Sequence, residues 1–298
     1  MKKILLPLLA LLLGSAAASA QAVQALEDSK YCISVGETTL IVDAARGGKI
    51  LSYKLGEDEI LNQGRFPNSF GSTFWTSPQS EWNWPPVAEY DTKPFQAEIR
   101  DGALLLTGEK SERFGYRIRK RISADPKDGA IVLTYTIVNE SGEVRRVAPW
   151  EISRVPNGGL LFFQAKAVEP ANNMAGLPFT FDKKAAWYVM DEARENRKIN
   201  ADGRGWLAFH NGKLLFVKKF QDLKAGEAAP AEAEIQIFAS PGKTFVEVEE
   251  QGPYTTLQPG ASLDWTVRWY LVRQDGESVP SKALLKRARK IAAGKGAK

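Results

Sequence analysis

The chain of 298 residues has little of the chemistry that many enzymes use: one cysteine, one histidine and three methionines. A single cysteine, Cys32, excludes an intramolecular disulfide, and with only one histidine beside it a zinc site is excluded too. Cys32 lies in an alternating strand pattern, so we expect a buried, unreactive thiol. His210 directly precedes the hairpin signal Asn211-Gly212, so we expect it at an exposed turn rather than in a catalytic site.

The sequence also lacks loops that bind phosphate or calcium. Gly47-Gly48 follows Arg46 without the Lys-Ser/Thr or GxGxxG context of a phosphate loop. Aspartates and glutamates are frequent, but none shows the spacing of a calcium loop. We therefore expect no cofactor and no bound metal.

Positive charge is scarce in the body of the chain. The net charge is +5, but residues 1–20 hold two bases and no acid, and residues 282–298 hold seven bases and no acid. The remainder carries 31 bases against 35 acids. A nucleic-acid partner is disfavoured, because it requires bases clustered on the folded body.

The one long apolar run is at the N-terminus. Lys2 and Lys3 precede apolar Ile4–Leu13, and Ala18-Ser19-Ala20 is a cleavage pattern. This predicts a signal peptide over 1–20, with an uncleaved anchor as the alternative, and no transmembrane segment elsewhere. Export without disulfides favours a bacterial periplasm.

Short β-strand patterns fill the middle of the chain. Segments such as Ile131–Val138 and Trp265–Val272 are separated by turn signals such as Asp101-Gly102 and Asn157-Gly158. This arrangement predicts an all-β sandwich or barrel of mostly antiparallel strands, as one domain over 21–277.

Residues 278–298 show a helical rather than a strand pattern of apolar residues, and they predict a short C-terminal helix with a basic tail. Leu284, Leu285, Ala288, Ile291 and Ala292 fall on one helical face, opposite lysines and arginines. A basic helix at a membrane surface is one interpretation. Packing on its own domain is favoured, because the apolar face has no aromatic residue.

The segment Gly71–Pro86 combines tryptophans with amides. Trp75, Trp82 and Trp84 alternate with Gln79 and Asn83, and three prolines prevent a regular central strand. Tryptophan faces stack on the apolar face of a sugar, and amides bind its hydroxyls. The alternative is a loop whose tryptophans close the end of a sandwich.

Two further strands carry candidate acid–base groups. Alternation places Trp150, Ile152 and Arg154 on one face of a strand and Glu151 on the other. Burial beside Trp150 would raise the pKa of Glu151 toward that of a general acid or base. The alternative is an ion pair with Arg154 or Arg146.

In the second strand, Glu247, Glu249 and Gln251 share one face, with valines opposite. Two acids on one strand face usually point to water. Here the strand runs into Gly252-Pro253-Tyr254, a turn that could place a carboxylate and Tyr254 at the mouth of a pocket.

The order of these segments resembles a known superfamily. Four segments together resemble galactose mutarotases (aldose 1-epimerases). They are Gly47–Leu61, Gly71–Pro86 (the tryptophan loop), Trp150–Arg154, and Glu249-Glu250-Gln251 followed by Leu257-Gln-Pro-Gly260. Within that superfamily they are most similar to a family of exported bacterial proteins of unknown function. The resemblance spans roughly residues 30–273 and implies a β-supersandwich that binds a saccharide.

The resemblance also implies acid–base chemistry at the anomeric carbon. A mutarotase uses a glutamate base and a histidine acid to open and reclose the sugar ring. By position the glutamate corresponds to Glu249, whereas the histidine falls near Glu151, which could replace it only with a raised pKa.

Three functions therefore follow from the sequence. The first is a periplasmic protein that interconverts sugar anomers, with Glu249 and Glu151 as catalytic residues. Its substrate-binding residues would be Trp75, Gln79, Trp82, Asn83, Trp84, Trp150, Arg154, Glu247 and Tyr254. The second is a carbohydrate-binding protein without catalysis. The third is a polysaccharide lyase or hydrolase that uses Tyr254, Arg154 and Arg268.

Overall fold

The computed structural model describes residues 22–66, 69–182, 184–192 and 194–295. The predicted signal peptide, residues 1–20, lies outside the described residues. The first eleven strands are β1 Val23–Ala25, β2 Lys30–Val35, β3 Thr38–Asp43, β4 Lys49–Leu55, β5 Asp58–Glu59, β6 Ser72–Ser77, β7 Gln96–Arg100, β8 Ala103–Lys110, β9 Tyr116–Asp125, β10 Ala130–Asn139 and β11 Arg145–Pro156.

The second half of the chain continues the same pattern. Its strands are β12 Leu160–Phe163, β13 Glu169–Pro170, β14 Thr180–Phe181, β15 Ala186–Val189, β16 Arg197–Ala201, β17 Trp206–His210, β18 Leu214–Lys219, β19 Ile235–Ala239, β20 Phe245–Gln251, β21 Thr255–Leu257 and β22 Ser262–Arg273. The helices are α1 Ala88–Asp91 and α2 Lys282–Ala292, and a 3-10 turn covers Gln79–Glu81.

The strands form two large antiparallel sheets. The first sheet has the order β1-β2-β3-β4-β6-β11-β20-β19-β16-β13, with β5 beside β4 and β21 beside β11. The second has the order β14-β15-β12-β17-β18-β22-β10-β9-β8-β7. The predicted all-β architecture with a short C-terminal helix is confirmed.

The core lies between the sheets and follows the alternation of each strand. Val246 and Val248 of β20 point into it, as expected, and meet apolar residues of the second sheet. The rings of Phe74 and Tyr135 stack across the core with centroids 4.3 Å apart. Each large apolar side chain buried in this way contributes about 1.5–3 kcal/mol.

Three charged side chains are buried in the same layer. Lys218 Nζ of β18 lies 2.7 Å from an oxygen of Glu151 and 2.7 Å from an oxygen of Glu250, and all three residues are fully buried. Trp269 Nε1 donates to Glu151 Oε1 at 3.0 Å. The partner of Glu151 is therefore Lys218, rather than the Arg154 or Arg146 considered from the sequence. Burial raises the pKa of Glu250 well above its usual value, although the Lys218 charge opposes the shift, and the nearby Glu151 charge adds to it.

Helix α2 packs on the outer face of the second sheet, as the sequence predicted. The Ser281 hydroxyl accepts the Leu284 backbone N–H at 3.2 Å and caps the helix. Leu285 and Ile291 are buried beside Phe162 and Val217 of the sheet. No helix in the described part of the chain is long and apolar enough to cross a membrane.

His210 was expected at an exposed turn, and the structure corrects this. Its side chain is 1 % exposed, because the segment after β22 covers it. Nε2 lies 2.7 Å from the Gln274 carbonyl, and Nδ1 lies 3.1 Å from the Ser278 hydroxyl. Cys32 is half-buried, and its Sγ lies 3.5 Å from the Ser34 hydroxyl.

The buried charges predict opposite results for two substitutions. Lys218→Met leaves two carboxyl groups without their cation and should lower the free energy of unfolding by about 3–5 kcal/mol. Glu250→Gln should change it much less, because Lys218 keeps Glu151 as its partner at 2.7 Å and the new amide oxygen can still accept a hydrogen bond from Lys218. Urea denaturation at neutral pH measures both, with exposed Lys127→Met as the control. Equal losses for Lys218→Met and Glu250→Gln would contradict this assignment of charge.

Candidate functional site

A tryptophan cluster covers the outer face of the first sheet. Trp75 of β6 and Trp150 of β11 are cross-strand partners, with ring centroids 5.4 Å apart. Trp82, which follows the 3-10 turn, lies 5.5 Å from Trp75 and 6.2 Å from Trp150. The alternation of β6 and β11 turns Trp75 and Trp150 away from the core, so the cluster forms a second apolar layer outside the sheet.

Beside this cluster lies a cavity of about 510 Å³, a size within the range of small-molecule sites. Its aromatic lining is Phe66, Trp75, Trp84, Trp150, Phe238 and Phe245. Its main polar lining is Gln79, Asn172, Asn196, Lys198, Ser240 and Glu247. We call this cavity the cleft.

Hydrogen bonds fix the buried tryptophans in place. Trp75 Nε1 donates to Asp91 Oδ1 at 3.0 Å, and the same oxygen accepts from Thr73 and Lys49 at 2.8 and 3.1 Å. Burial raises the pKa of Asp91, but the Lys49 charge and these hydrogen bonds outweigh it and hold the pKa below its usual value. Trp82 Nε1 donates to the Thr76 carbonyl at 2.9 Å. Both rings are therefore held rigidly.

Trp84 differs from the other members of the loop. It is 57 % exposed, lines the cleft, and meets Trp75 edge-to-face at 6.2 Å. Trp82 is only 4 % exposed and does not line the cleft, so it supports the site from behind. Of the three tryptophans in this loop, only Trp84 offers an accessible ring face.

Lys198 connects the cleft to a buried carboxyl group. Its Nζ donates to Glu249 Oε2 at 3.3 Å and lies 4.8 Å from the centre of the Trp150 ring. Trp150 Nε1 donates to the same carboxylate oxygen at 2.9 Å. Burial, opposed by the charge of Lys198 and aided by the Glu247 carboxylate, raises the pKa of Glu249 to about 7. Near neutral pH, Glu249 therefore exchanges between its two protonation states.

Glu247 is the carboxylate that the cleft itself exposes. It lies two residues before Glu249 on the same face of β20 and lines the cleft. Arg154 Nη2 lies 2.7 Å from Glu247 Oε1, and the Arg154 side chain is fully buried. Arg154 therefore positions Glu247 from beneath and does not line the cleft.

A glutamate on the loop before β19 anchors the rim of the cleft. Glu232 Oε1 accepts the Gln79 backbone N–H at 2.8 Å. Its Oε2 accepts from Gln236 and Gln251 at 2.8 and 3.0 Å. Gln251 in turn accepts from the Ser77 hydroxyl at 2.6 Å. The network attaches the tryptophan loop to β19 and β20.

The expectation that Glu151 acts with Glu249 as a catalytic residue is corrected by the register of the sheet. Ile152 pairs with Glu249 and Glu151 pairs with Glu250, so Glu151 points into the core between the sheets. There it is fully buried with Lys218. An acid in that position cannot reach a ligand in the cleft.

Other candidates lie apart from the cleft. Tyr254 does not line it and stacks instead against Arg146, whose guanidinium carbon is 4.4 Å from the ring centre. Arg268 of the second sheet binds Asp125 and Asp128 at 2.6 and 2.7 Å. The three residues considered for a lyase therefore do not converge. Asn83 is exposed beside Trp84 but lies outside the cleft lining.

Several lining residues were not identified from the sequence. Asn196 directly precedes β16, Lys198 is the second residue of that strand, and Asn172 lies in the turn after β13. Phe238 of β19 and Phe245 of β20 complete this group. Their segments carry no local motif, and the only signal at Lys198 is a charged residue next to apolar Ile199 in a strand pattern.

The fold is that of the galactose mutarotase-like β-sandwiches. One similar structure, of an Escherichia coli K12 protein assigned provisionally as an aldose 1-epimerase, is 15% identical, with a TM-score of 0.62 over 82% of this chain and 99% of that one. A galactose mutarotase-like protein of Lactobacillus casei is also 15% identical, with a TM-score of 0.54 over 81% and 99%.

A galactose mutarotase related enzyme of Lactobacillus acidophilus is 8% identical, with a TM-score of 0.56 over 85% and 99%. The sequence matches no family model and no curated protein. At these identities the similarity establishes the fold, and the chemistry must be argued from the cleft of this chain.

The raised pKa of Glu249 predicts a specific pH dependence of stability. As the pH rises above the usual glutamate pKa, Glu249 loses its proton in the unfolded chain before it does so in the folded chain. The free energy of unfolding therefore falls until the pH passes about 7. Glu249→Gln has no proton to lose and should show a shallower fall between about pH 5 and about pH 8. Urea denaturation across this range measures the difference, with exposed Glu112→Gln as the control. Parallel curves for Glu249→Gln and the unchanged protein would contradict the shift.

Proposed function

We propose that the cleft binds a saccharide. The observation that carries this proposal is the exposed ring of Trp84 in the lining of one cavity with polar side chains that include Lys198 and Glu247. An exposed tryptophan held edge-on by a second, buried tryptophan offers a fixed apolar platform. Binding then costs little ordering of the protein.

The polar lining suits the hydroxyl groups of a sugar. Gln79, Asn172 and Asn196 supply amides that both donate and accept hydrogen bonds. Glu247 supplies an acceptor that Arg154 already orients. Such groups around an aromatic platform match the alternation of apolar C–H faces and hydroxyl edges on a pyranose. The mutarotase-like fold of the similar structures supports the same ligand class.

The second candidate function is interconversion of sugar anomers, and the state of Glu249 favours it. A pKa of about 7 is suited to a general base at neutral pH. Glu249 Oε1 has no hydrogen-bond partner among the described residues, so it is free to accept a proton. The Lys198 ammonium lies 3.3 Å from Glu249 Oε2, lines the cleft and is the candidate proton donor.

Glu249 is fully buried behind Lys198 and does not line the cleft, so this candidate reaction requires Lys198 to shift and open Glu249 to the ligand. Glu249 then takes the proton of the anomeric hydroxyl, and Lys198 gives a proton to the ring oxygen. The bond between the anomeric carbon and the ring oxygen breaks, and the carbonyl rotates. The ring oxygen then attacks the other face, Lys198 recovers its proton, and Glu249 returns its proton to the new hydroxyl. Lys198 thus takes the role that the sequence analysis gave to Glu151.

We also propose that the protein acts after export to the periplasm. The support is the residue pattern of 1–20, with its basic start, apolar run and Ala-Ser-Ala sequence.

Saccharide binding predicts a loss of affinity in two substitutions. Trp84→Ala removes the exposed ring, and Glu247→Gln removes the oriented carboxylate. Each should weaken binding about tenfold or more, a loss of at least about 1.4 kcal/mol. Isothermal titration calorimetry with neutral and acidic sugars measures this, with Val144→Ala, an exposed apolar position outside the cleft lining, as the control. Heats that stay at the dilution level for every sugar would refute the proposal.

Anomer interconversion predicts a catalytic rate that depends on Glu249. Polarimetry of freshly dissolved α-glucose and α-galactose should show faster mutarotation with the protein, rising with pH through about 7 as Glu249 ionises. Glu249→Gln should abolish the acceleration, and Lys198→Met should reduce it about 10²–10⁴-fold, the usual contribution of an acid–base group. If binding is measurable but no sugar mutarotates faster, the protein binds without catalysis.

A further inference from the structure

A second cavity of about 380 Å³ adjoins the cleft and shares Trp84 with it. Gln79, Trp84, Asn172 and Met174 line both cavities. The second cavity alone is lined by Ser80, Asn83, Pro230 and Ala231, together with Glu232. Trp84 therefore stands as a ridge between two adjacent concave sites.

A polar contact holds together the wall that the two cavities share. Asn172 Nδ2 lies 3.5 Å from Gln79 Oε1, so the turn after β13 meets the tryptophan loop where the cavities share their wall. The Gln79 backbone is itself fixed by Glu232 at 2.8 Å. The shared wall is thus positioned from both sides.

The chemistry of the second cavity indicates a neutral, hydroxylated occupant. No lysine or arginine is among its described lining residues, so a phosphate or a uronate has no cation to meet there. Both oxygens of Glu232 already accept hydrogen bonds from the protein. The groups left for a ligand are amides and a hydroxyl, from Asn83, Asn172 and Ser80.

These observations bear on the length of the ligand. A monosaccharide would fill one cavity and leave the other side of the exposed Trp84 ring in water. A chain of sugars crosses the ridge and places one unit on each side, covering more of the apolar ring. We infer that the protein recognises a neutral oligosaccharide of two or more units, which passes over Trp84 from the cleft into the second cavity.

This inference rests on the proposed saccharide binding, and one set of titrations separates the two. Isothermal titration calorimetry compares glucose, galactose and mannose with the linear dimer, trimer and tetramer of each. The dimer of the recognised sugar should bind at least about tenfold more tightly than its monomer, since a second occupied site adds about 1.4 kcal/mol or more.

Two variants test whether the gain in affinity of the dimer over the monomer arises in the second cavity. Ser80→Trp fills it and should reduce the dimer affinity to that of the monomer. Asn83→Gly removes an amide and suits the backbone, because Asn83 has a φ of 58°, which glycine adopts freely. Asn83→Gly should lower the ratio of dimer affinity to monomer affinity in part. Asn173→Gly, at a φ of 57° and outside both cavities, and Ser262→Trp on the second sheet are the matched controls.

The outcomes distinguish the two proposals. If no saccharide of any length binds, saccharide binding itself is refuted. If monomer and oligomers bind equally, saccharide binding stands and the two-site inference is refuted. A dimer preference that persists in Ser80→Trp would also refute it, because the added unit would then lie elsewhere.

Discussion

The antiparallel register between β11 and β20 is the constraint on which the cleft and the core both depend. Glu249 and Glu250 are neighbours in sequence, yet one contacts Lys198 beside the cleft and the other lies by Lys218 between the sheets. A slip of one residue would exchange them, because successive side chains of a strand point to opposite faces. Each carboxyl group has a cation on its own side, so an exchange would separate both from their partners.

The same register separates what the sequence could predict about these side chains from what it could not. Alternation within one strand correctly placed Trp150 and Arg154 opposite Glu151, and the two valines of β20 opposite Glu249. It could not relate one strand to another, because that depends on which residues pair across the sheet. Glu151 was therefore expected to act with Glu249, whereas the pairing of Ile152 with Glu249 turns Glu151 to the other face of the sheet.

The residues that sequence reasoning missed share one property: their roles arise from contacts between distant segments. Lys198 reaches Glu249 from β16, 51 positions away, and Glu232 supports Gln79 over 153 positions. The tryptophan loop, by contrast, was recognisable because its residues are contiguous. Even there, sequence could not show that Trp82 is buried and Trp84 is exposed, since both flank Asn83 in the same manner.

The unequal burial of the tryptophans has an optical consequence. Seven of the eight are 5 % exposed or less, and Trp84 alone is open to solvent at 57 %. A collisional quencher such as acrylamide or iodide must touch an indole to quench it, so it reaches one ring in the folded chain. The quenchable fraction of the emission therefore belongs to Trp84, and the native protein carries a single-site optical probe on the ridge between its two cavities.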